Sequence, residues 1–335
     1  GHISAAKVLA AAMKEQEPDV EIKMLNGFCS HKLGHFIFEK GYNYSTNYFK
    51  GAFPIVYDLG RYEWLQSGLK HILGPETRPY LRRIIRKEHP TDIVCFHFAV
   101  TPFLKDVLKN IPWKVNLTVI VTDPFTVPYP WFYEKDVNYM VYSDEAKAIA
   151  VNECHVPEKN VQVIPFLMNS KFRASITEEE KTALRIKHGF APDKKIVLLV
   201  GGGEGLPGAT EIVNNCILHK AKFAVAVICG RDKVKKKNLS LLRLANPHID
   251  LHIFGFVDFM DELVKICDCA VIKAGPATLM EVLACRKPVI ICKYIHNQEL
   301  GNMHFAVRHR VGYFIRKPRA IYCKIYVLFN DISFV

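Results

Sequence analysis

The chain has no pair of cysteines at metal-ligand spacing, although it holds ten of them. Without a CxxC, and with Cys154-His155 lacking a second ligand pair nearby in sequence, a zinc site is not expected. Cys95, Cys229 and Cys292 fall inside apolar runs, and Cys267 and Cys269 flank Asp268 at the edge of another. They read as reduced core thiols of a cytosolic compartment. No apolar run has the length a bilayer demands, and no charged, apolar and small-residue series marks a signal peptide. Repeats at solenoid spacing and low-complexity tracts are also missing. No DxD carboxylate pair is present to demand a metal.

What is there points to a soluble α/β enzyme or binding protein. The 335 residues exceed one ordinary domain, so two are expected. Half the residues are apolar, enough for a real core. The formal charge of +12 favours anionic partners: nucleotide phosphates, acidic lipid head groups or nucleic acid. Short β-branched runs alternate with amphipathic helices, the mark of parallel architecture. Strands are expected at 92–96, 115–121, 137–142 and 161–164. A second series follows at 196–200, 223–229, 251–254, 269–272 and 289–291. Ser4 to Lys14 reads as a helix, and Thr177 with Glu180 reads as a capping box. The boundary falls at about 165, giving an amino-terminal domain over 1–165 and a carboxy-terminal domain over 166–335. The first begins on a helix, as if its opening strand were missing, and the second stops abruptly.

Between Tyr42 and Leu69 the period breaks. Aromatics including Tyr57 and Trp64 precede Arg78, Arg82, Arg83, Arg86 and Lys87. Rings beside cations suit a bilayer interface, and a helical insertion with a solvated basic face explains them equally.

Three segments carry chemistry. In the first, a strand ends at Ile272-Lys273, turns at Gly275-Pro276 and starts a helix at Ala277. Amides at a helix start bind phosphate, Thr278 adds a hydroxyl, and Glu281 lies one turn on, placed to take both hydroxyls of a ribose. An ordinary strand-turn-helix with a surface Glu is the plainer alternative. The second segment holds Gln298, Glu299 and Asn302, directional groups of the kind sugar recognition needs. The third, Gly201-Gly202-Gly203-Glu204-Gly205-Leu206-Pro207-Gly208, formally satisfies GxGxxG. A nicotinamide or flavin enzyme is therefore a live alternative. Pro207 inside the motif weakens it, as does Cys229-Gly230-Arg231 where an acidic residue belongs.

These segments occur in a familiar order. Gly201 to Gly205, Ile228-Cys229-Gly230-Arg231, Phe254-Gly255-Phe256-Val257, Lys273 to Thr278 and Gln298-Glu299-x-Gly301-Asn302 resemble the monogalactosyldiacylglycerol synthases and the bacterial processive diacylglycerol glucosyltransferases. That group is related to the enzyme that adds N-acetylglucosamine to lipid I. Gly1-His2, Val121-Thr122-Asp123 and Pro130-Trp131-Phe132 resemble features of its first half. The resemblance implies a GT-B fold: two Rossmann-like domains facing a central cleft. It implies inverting transfer of galactose or glucose from UDP-galactose or UDP-glucose to 1,2-diacylglycerol, with the UDP-sugar as co-substrate and no tightly bound cofactor. Gly203, Gly205, Gly230, Arg231, Phe256, Val257, Gly275, Pro276, Ala277, Thr278, Glu281, Gln298, Glu299 and Asn302 would bind the donor. His2 would be the base, with Asp123 orienting it or serving instead. Tyr57, Trp64, Arg82, Arg83 and Trp131 would face the acceptor and an anionic membrane surface. The expected location is cytoplasmic and peripheral on the inner face of the membrane, or at the plastid envelope in a plant. The chain departs from the family at Val163, in the missing upstream glycines of the first loop, and at Asp123-Pro124-Phe125.

Overall fold

A computed structural model describes residues 2–27, 63–295 and 298–330, without the side chains of 63–67 and 69. The chain divides into two compact units. One comprises Gly1–Leu167 with Ile295–Gly301, the other Met168–Tyr294 with Asn302–Val335. The division falls two residues beyond the boundary read from the sequence. The short return of 295–301 to the first unit carried no sequence signal.

The first unit opens with α1 (His2–Gln16) and α2 (Glu63–Glu88). Strands β1 (Asp92–Cys95), β2 (Asn116–Ile120), β3 (Asn138–Val141) and β4 (Val161–Val163) follow, with α3 (Thr101–Leu108) after β1 and α4 (Asp144–Ala148) after β3. The strands pair in chain order and all in parallel. Parallel pairing needs a crossover after each strand, so apolar faces are covered on both sides. Val107, Val119, Val141, Phe132 and Tyr139 are buried in this core. Its β2 carries Val119 and Ile120 at 0 % exposure, and the apolar end of that strand lies in the core while Asn116 at its start is exposed.

The second unit holds a six-stranded parallel sheet: β5 (Ile196–Val200), β6 (Ala224–Ile228), β7 (Leu251–Phe254), β8 (Cys269–Lys273), β9 (Val289–Lys293) and β10 (Gly312–Phe314). Its helices are α5 (Glu178–Lys187), α6 (Ala209–Leu218), α7 (Lys233–Ala245), α8 (Met260–Ile266), α9 (Pro276–Ala284), α10 (Leu300–Arg308) and α11 (Pro318–Asn330). The spatial order is β10-β9-β8-β5-β6-β7. Strand order therefore reverses between β5 and β8, and ligands of doubly wound sheets sit at the carboxyl ends of strands on that seam. Every residue of β5 and β6 is buried. The capping box at the start of α5 is formed: Glu180 N donates to Thr177 Oγ1 at 3.2 Å, and Thr177 N to Glu180 Oε2 at 2.8 Å. The short β10 lacked a periodic run and was missed in the sequence.

Candidate functional site

The glycine-rich loop leaves β5 at the seam, and its glycines are required by geometry. Gly205 has φ +69° and Gly230 φ +60°, a region that side chains resist. A Cβ on Gly230 would stand 2.1 Å from the carbonyl oxygen of Gly203. The loop after β6 thus presses on the loop after β5, and Arg231 N donates to Gly203 O at 2.8 Å. Gly208, at φ +85°, caps α6 instead of facing the loop. Arg231 is exposed and lies over the ring of Phe256, 5.3 Å from its centroid. Phe256 itself is 66 % exposed, an open aromatic face beside the loop, with the half-buried Val257 next to it.

Across the seam, β8 ends at Lys273 and α9 begins. Gly275 is the N-cap, in extended backbone, and Pro276 is the first helical residue. Proline there gives up no hydrogen bond, because a first-turn N–H has no partner within the helix. Leu279 N donates to Gly275 O at 3.0 Å. The amides of Ala277 and Thr278 precede that bond, so they remain for an external anion. Both residues are half-buried. Glu281 follows on the same helix, half-buried, and burial lifts its carboxyl to about 7.

The segment after β9 behaves differently from what its polar side chains suggest. Glu299 is 4 % exposed, and its Oε2 accepts from Ile295 N at 2.8 Å. Asn302 is 1 % exposed, and its Nδ2 donates to Ala274 O at 2.8 Å. Each polar group braces backbone in a place too enclosed for free exchange with solvent. Both side chains thus brace backbone, and Asn302 Oδ1 is buried without a hydrogen-bond partner. Gln298 packs with the first unit and hydrogen-bonds the carboxyl of Asp123.

In the first unit a second cluster gathers at the carboxyl ends of β1 and β2. His2 Nδ1 lies 2.9 Å from Thr122 Oγ1. Its ring centroid is 4.9 Å from that of His97 and 6.0 Å from that of Trp131. Burial drives the His2 imidazole down to about 4 and that of His97 to about 3, so both are neutral at physiological pH. His97 Nδ1 accepts from Ala99 N at 3.2 Å. Asp123 is buried, and burial raises its carboxyl to about 6 although the Trp131 indole donates to Oδ2 at 2.8 Å. The His2 ring is held by Thr122 and by a hydrogen bond to the Phe96 backbone, while the Asp123 carboxyl is engaged by Trp131 and Gln298. Thr122 and His97 were both missed. They immediately follow predicted strands, and their place at the carboxyl ends of β1 and β2 was the signal that could have found them.

Of the residues assigned to lipid, Trp131 needs correction as a membrane-facing one. Trp131 is 1 % exposed in a 3-10 turn (Tyr129–Phe132), bound to Asp123, and has no face for a bilayer. Arg82, on α2, is half-buried with its Nε enclosed and unpartnered, whereas Arg83 is exposed. Tyr57 and the side chain of Trp64 lie outside the described residues.

Comparison with known proteins covers both units. Residues 2–164 match the family model for monogalactosyldiacylglycerol (MGDG) synthase, and residues 196–316 match the glycosyltransferase family 28 C-terminal domain. A processive diacylglycerol beta-glucosyltransferase of Bacillus cereus (strain AH187) is 25 % identical over 305 residues, covering 84 % of this chain and 76 % of its own. A protein of the same description from Bacillus anthracis (strain A0248) aligns with the same identity and coverage, 25 % and 84 %. Among solved structures, S. aureus MnaA with UDP superposes with a TM-score of 0.56 at 14 % identity, over 77 % of this chain and 70 % of that one. Acinetobacter baumannii MurG gives 0.54 at 11 % identity, over 77 % and 70 %. Anabaena HepE in complex with UDP-glucose gives 0.53 at 14 % identity, over 76 % and 73 %.

Proposed function

We propose, for a chain that belongs to the monogalactosyldiacylglycerol synthase and processive diacylglycerol glucosyltransferase family and has its GT-B fold, that it moves galactose or glucose from a UDP-sugar to 1,2-diacylglycerol at a membrane surface, with inversion. The observation that carries the donor half is the start of α9: amides of Ala277 and Thr278 ahead of the first helical hydrogen bond, beside the seam of the sheet. A diphosphate leaves more readily when its growing charge meets fixed dipoles, and one such donor in comparable oxyanion sites is worth about 2.7–4 kcal/mol. Glu281 takes the ribose. Gly203, Gly205 and Gly230 bring backbone close to the phosphates and sugar, and the Arg231–Phe256 pair with Val257 flanks the base.

The acceptor half rests on His2. A neutral imidazole takes the proton of the diacylglycerol hydroxyl as its oxygen attacks the anomeric carbon, and the bond from that carbon to the UDP oxygen breaks. A single in-line displacement inverts the configuration and needs no protein nucleophile. Thr122 fixes the ring. Asp123, at about 6 and beside this cluster, is the second group able to hold the proton. No metal is assigned to the transfer, the UDP-sugar is a co-substrate, and the protein works peripherally on the membrane that holds its acceptor. A nicotinamide reaction finds no acidic residue at the end of β6, where Cys229-Gly230-Arg231 stands.

A donor screen with radiolabelled UDP-galactose, UDP-glucose and UDP-N-acetylglucosamine against diacylglycerol in micelles tests this reading. One of the two hexoses is expected in a glycolipid, with His2→Ala lowering turnover by 10²-fold or more, roughly the contribution of a positioned general base, while UDP still binds. Transfer only of N-acetylglucosamine, or normal turnover in His2→Ala, would refute it.

A further inference from the structure

The second unit carries an amphipathic face that donor chemistry leaves unused. Helix α7 holds Lys233, Lys235, Lys236, Lys237 and Arg243 and not one acidic residue. Its inner side is set by Leu239, buried at 0 %, with Leu242 packed on the same core. The 3.6-residue period then places Val234, Lys237, Leu241 and Leu244 on the opposite side as one stripe. The exposures agree: Val234 70 %, Leu241 56 % and Leu244 73 %. Lys233 borders the stripe, and Lys236 and Arg243 run along its flank. Among the described residues, Lys235 alone of these cations has an ion pair, 3.1 Å from Asp232, and it also donates to Glu204 O.

We propose that α7 is an interfacial helix that docks the second unit on an anionic lipid bilayer. Cations without counter-charges on their own helix complement the negative surface of such a leaflet. Three large aliphatic side chains held in water have a favourable place to go at the acyl boundary. Snorkelling lysine stems let the charged heads stay at the phosphate level while Leu241 and Leu244 sink below it. Helix α2 is a poorer choice. It carries Glu76 and Glu88 as well as cations, and Arg78 is committed to Asp106 at 2.9 Å. The start of α7 follows Arg231 by two residues, so docking there sets the mouth of the donor loop close to the lipid plane. The inference rests on the reading that the acceptor is a membrane lipid, and it adds which surface meets the membrane.

Vesicle co-sedimentation of the full chain, without donor or diacylglycerol, tests it. The probes are phosphatidylcholine vesicles with and without about 30 mol % phosphatidylglycerol, a typical anionic surface. Wild type is expected to partition at least about tenfold better onto the anionic vesicles, and to lose that preference in high salt. Lys233→Glu with Lys237→Glu should weaken binding by about 25-fold, about fivefold for each lysine. Leu241→Ser with Leu244→Ser should weaken it on both vesicle types. Circular dichroism melts and UDP titration on the same samples report whether fold and donor site survive. Anionic-vesicle binding within about twofold of wild type in either folded pair overturns the proposal. Loss of vesicle binding in a protein that never bound UDP would refute the donor assignment and leave α7 standing.

Discussion

Gly230 shows how much of the donor loop is decided by one missing carbon. Its φ is +60°, and an added Cβ would meet Gly203 O at 2.1 Å and Gly205 N at 3.2 Å. Neither obstacle is a flexible side-chain end, so backbone must move. Gly230→Ala is expected to cost about 2–4 kcal/mol, as strained backbone and overpacking together do. The urea midpoint should fall, and UDP affinity should fall further than in Gly203→Ala, whose Cβ would meet nothing closer than Arg231 at 3.8 Å. Equal losses in the two variants would show that the interlocked loops are not what shapes the site. Residues of this kind were legible as glycines in a motif, but the partner of Gly230 was not, because a loop-to-loop approach leaves no periodic trace.

Among the elements, the strands and α9 were legible for a plain reason: a strand covered on both faces must be apolar throughout, and β5 and β6 are. Polar loops are less legible: the sequence marks Glu299 and Asn302 as polar candidates, but not that each is buried and hydrogen-bonded to backbone. Helix α9 gives the prediction that belongs at this scale. Burial holds the Glu281 carboxyl up to about 7. Its folded value lies above its unfolded one, so the fold is relatively favoured while the group is protonated and loses stability as pH rises from about 4.5 to 7. Glu281→Gln should therefore raise stability above pH 7, by up to about 3 kcal/mol before any relaxation. Donor recognition wants the opposite state, since the ionised carboxylate is the better acceptor for ribose hydroxyls. UDP affinity measured by calorimetry should climb as pH passes about 7 in wild type, and the step should vanish in Glu281→Gln. The same step persisting in the variant would assign it to the phosphate of UDP.

For the whole molecule, the buried titratable groups are divided unequally between the units. His2 and His97 both lie in the first, at about 4 and about 3. Each folded value is below the unfolded 6.5, so on acidification the unfolded chain takes up protons that the folded cluster refuses. Stability of that unit is lost as pH falls from about 6.5 toward 4, by about 3 kcal/mol for each histidine at most. Asp123, raised to about 6, acts in the other direction and offsets part of the loss. In the second unit Glu281 alone among the donor residues is so displaced, and it gains from acid. Each unit has its own apolar core, so each has the means to unfold as a cooperative body. Scanning calorimetry between pH 7 and pH 4.5 should show two transitions moving apart, with the histidine-bearing unit melting earlier in acid. His97→Gln should shrink that separation by removing one of the refused protons. A single transition that shifts uniformly with pH, unchanged in His97→Gln, would mean that the cluster at the ends of β1 and β2 does not hold its imidazoles neutral, and the case for His2 as the proton acceptor would weaken with it.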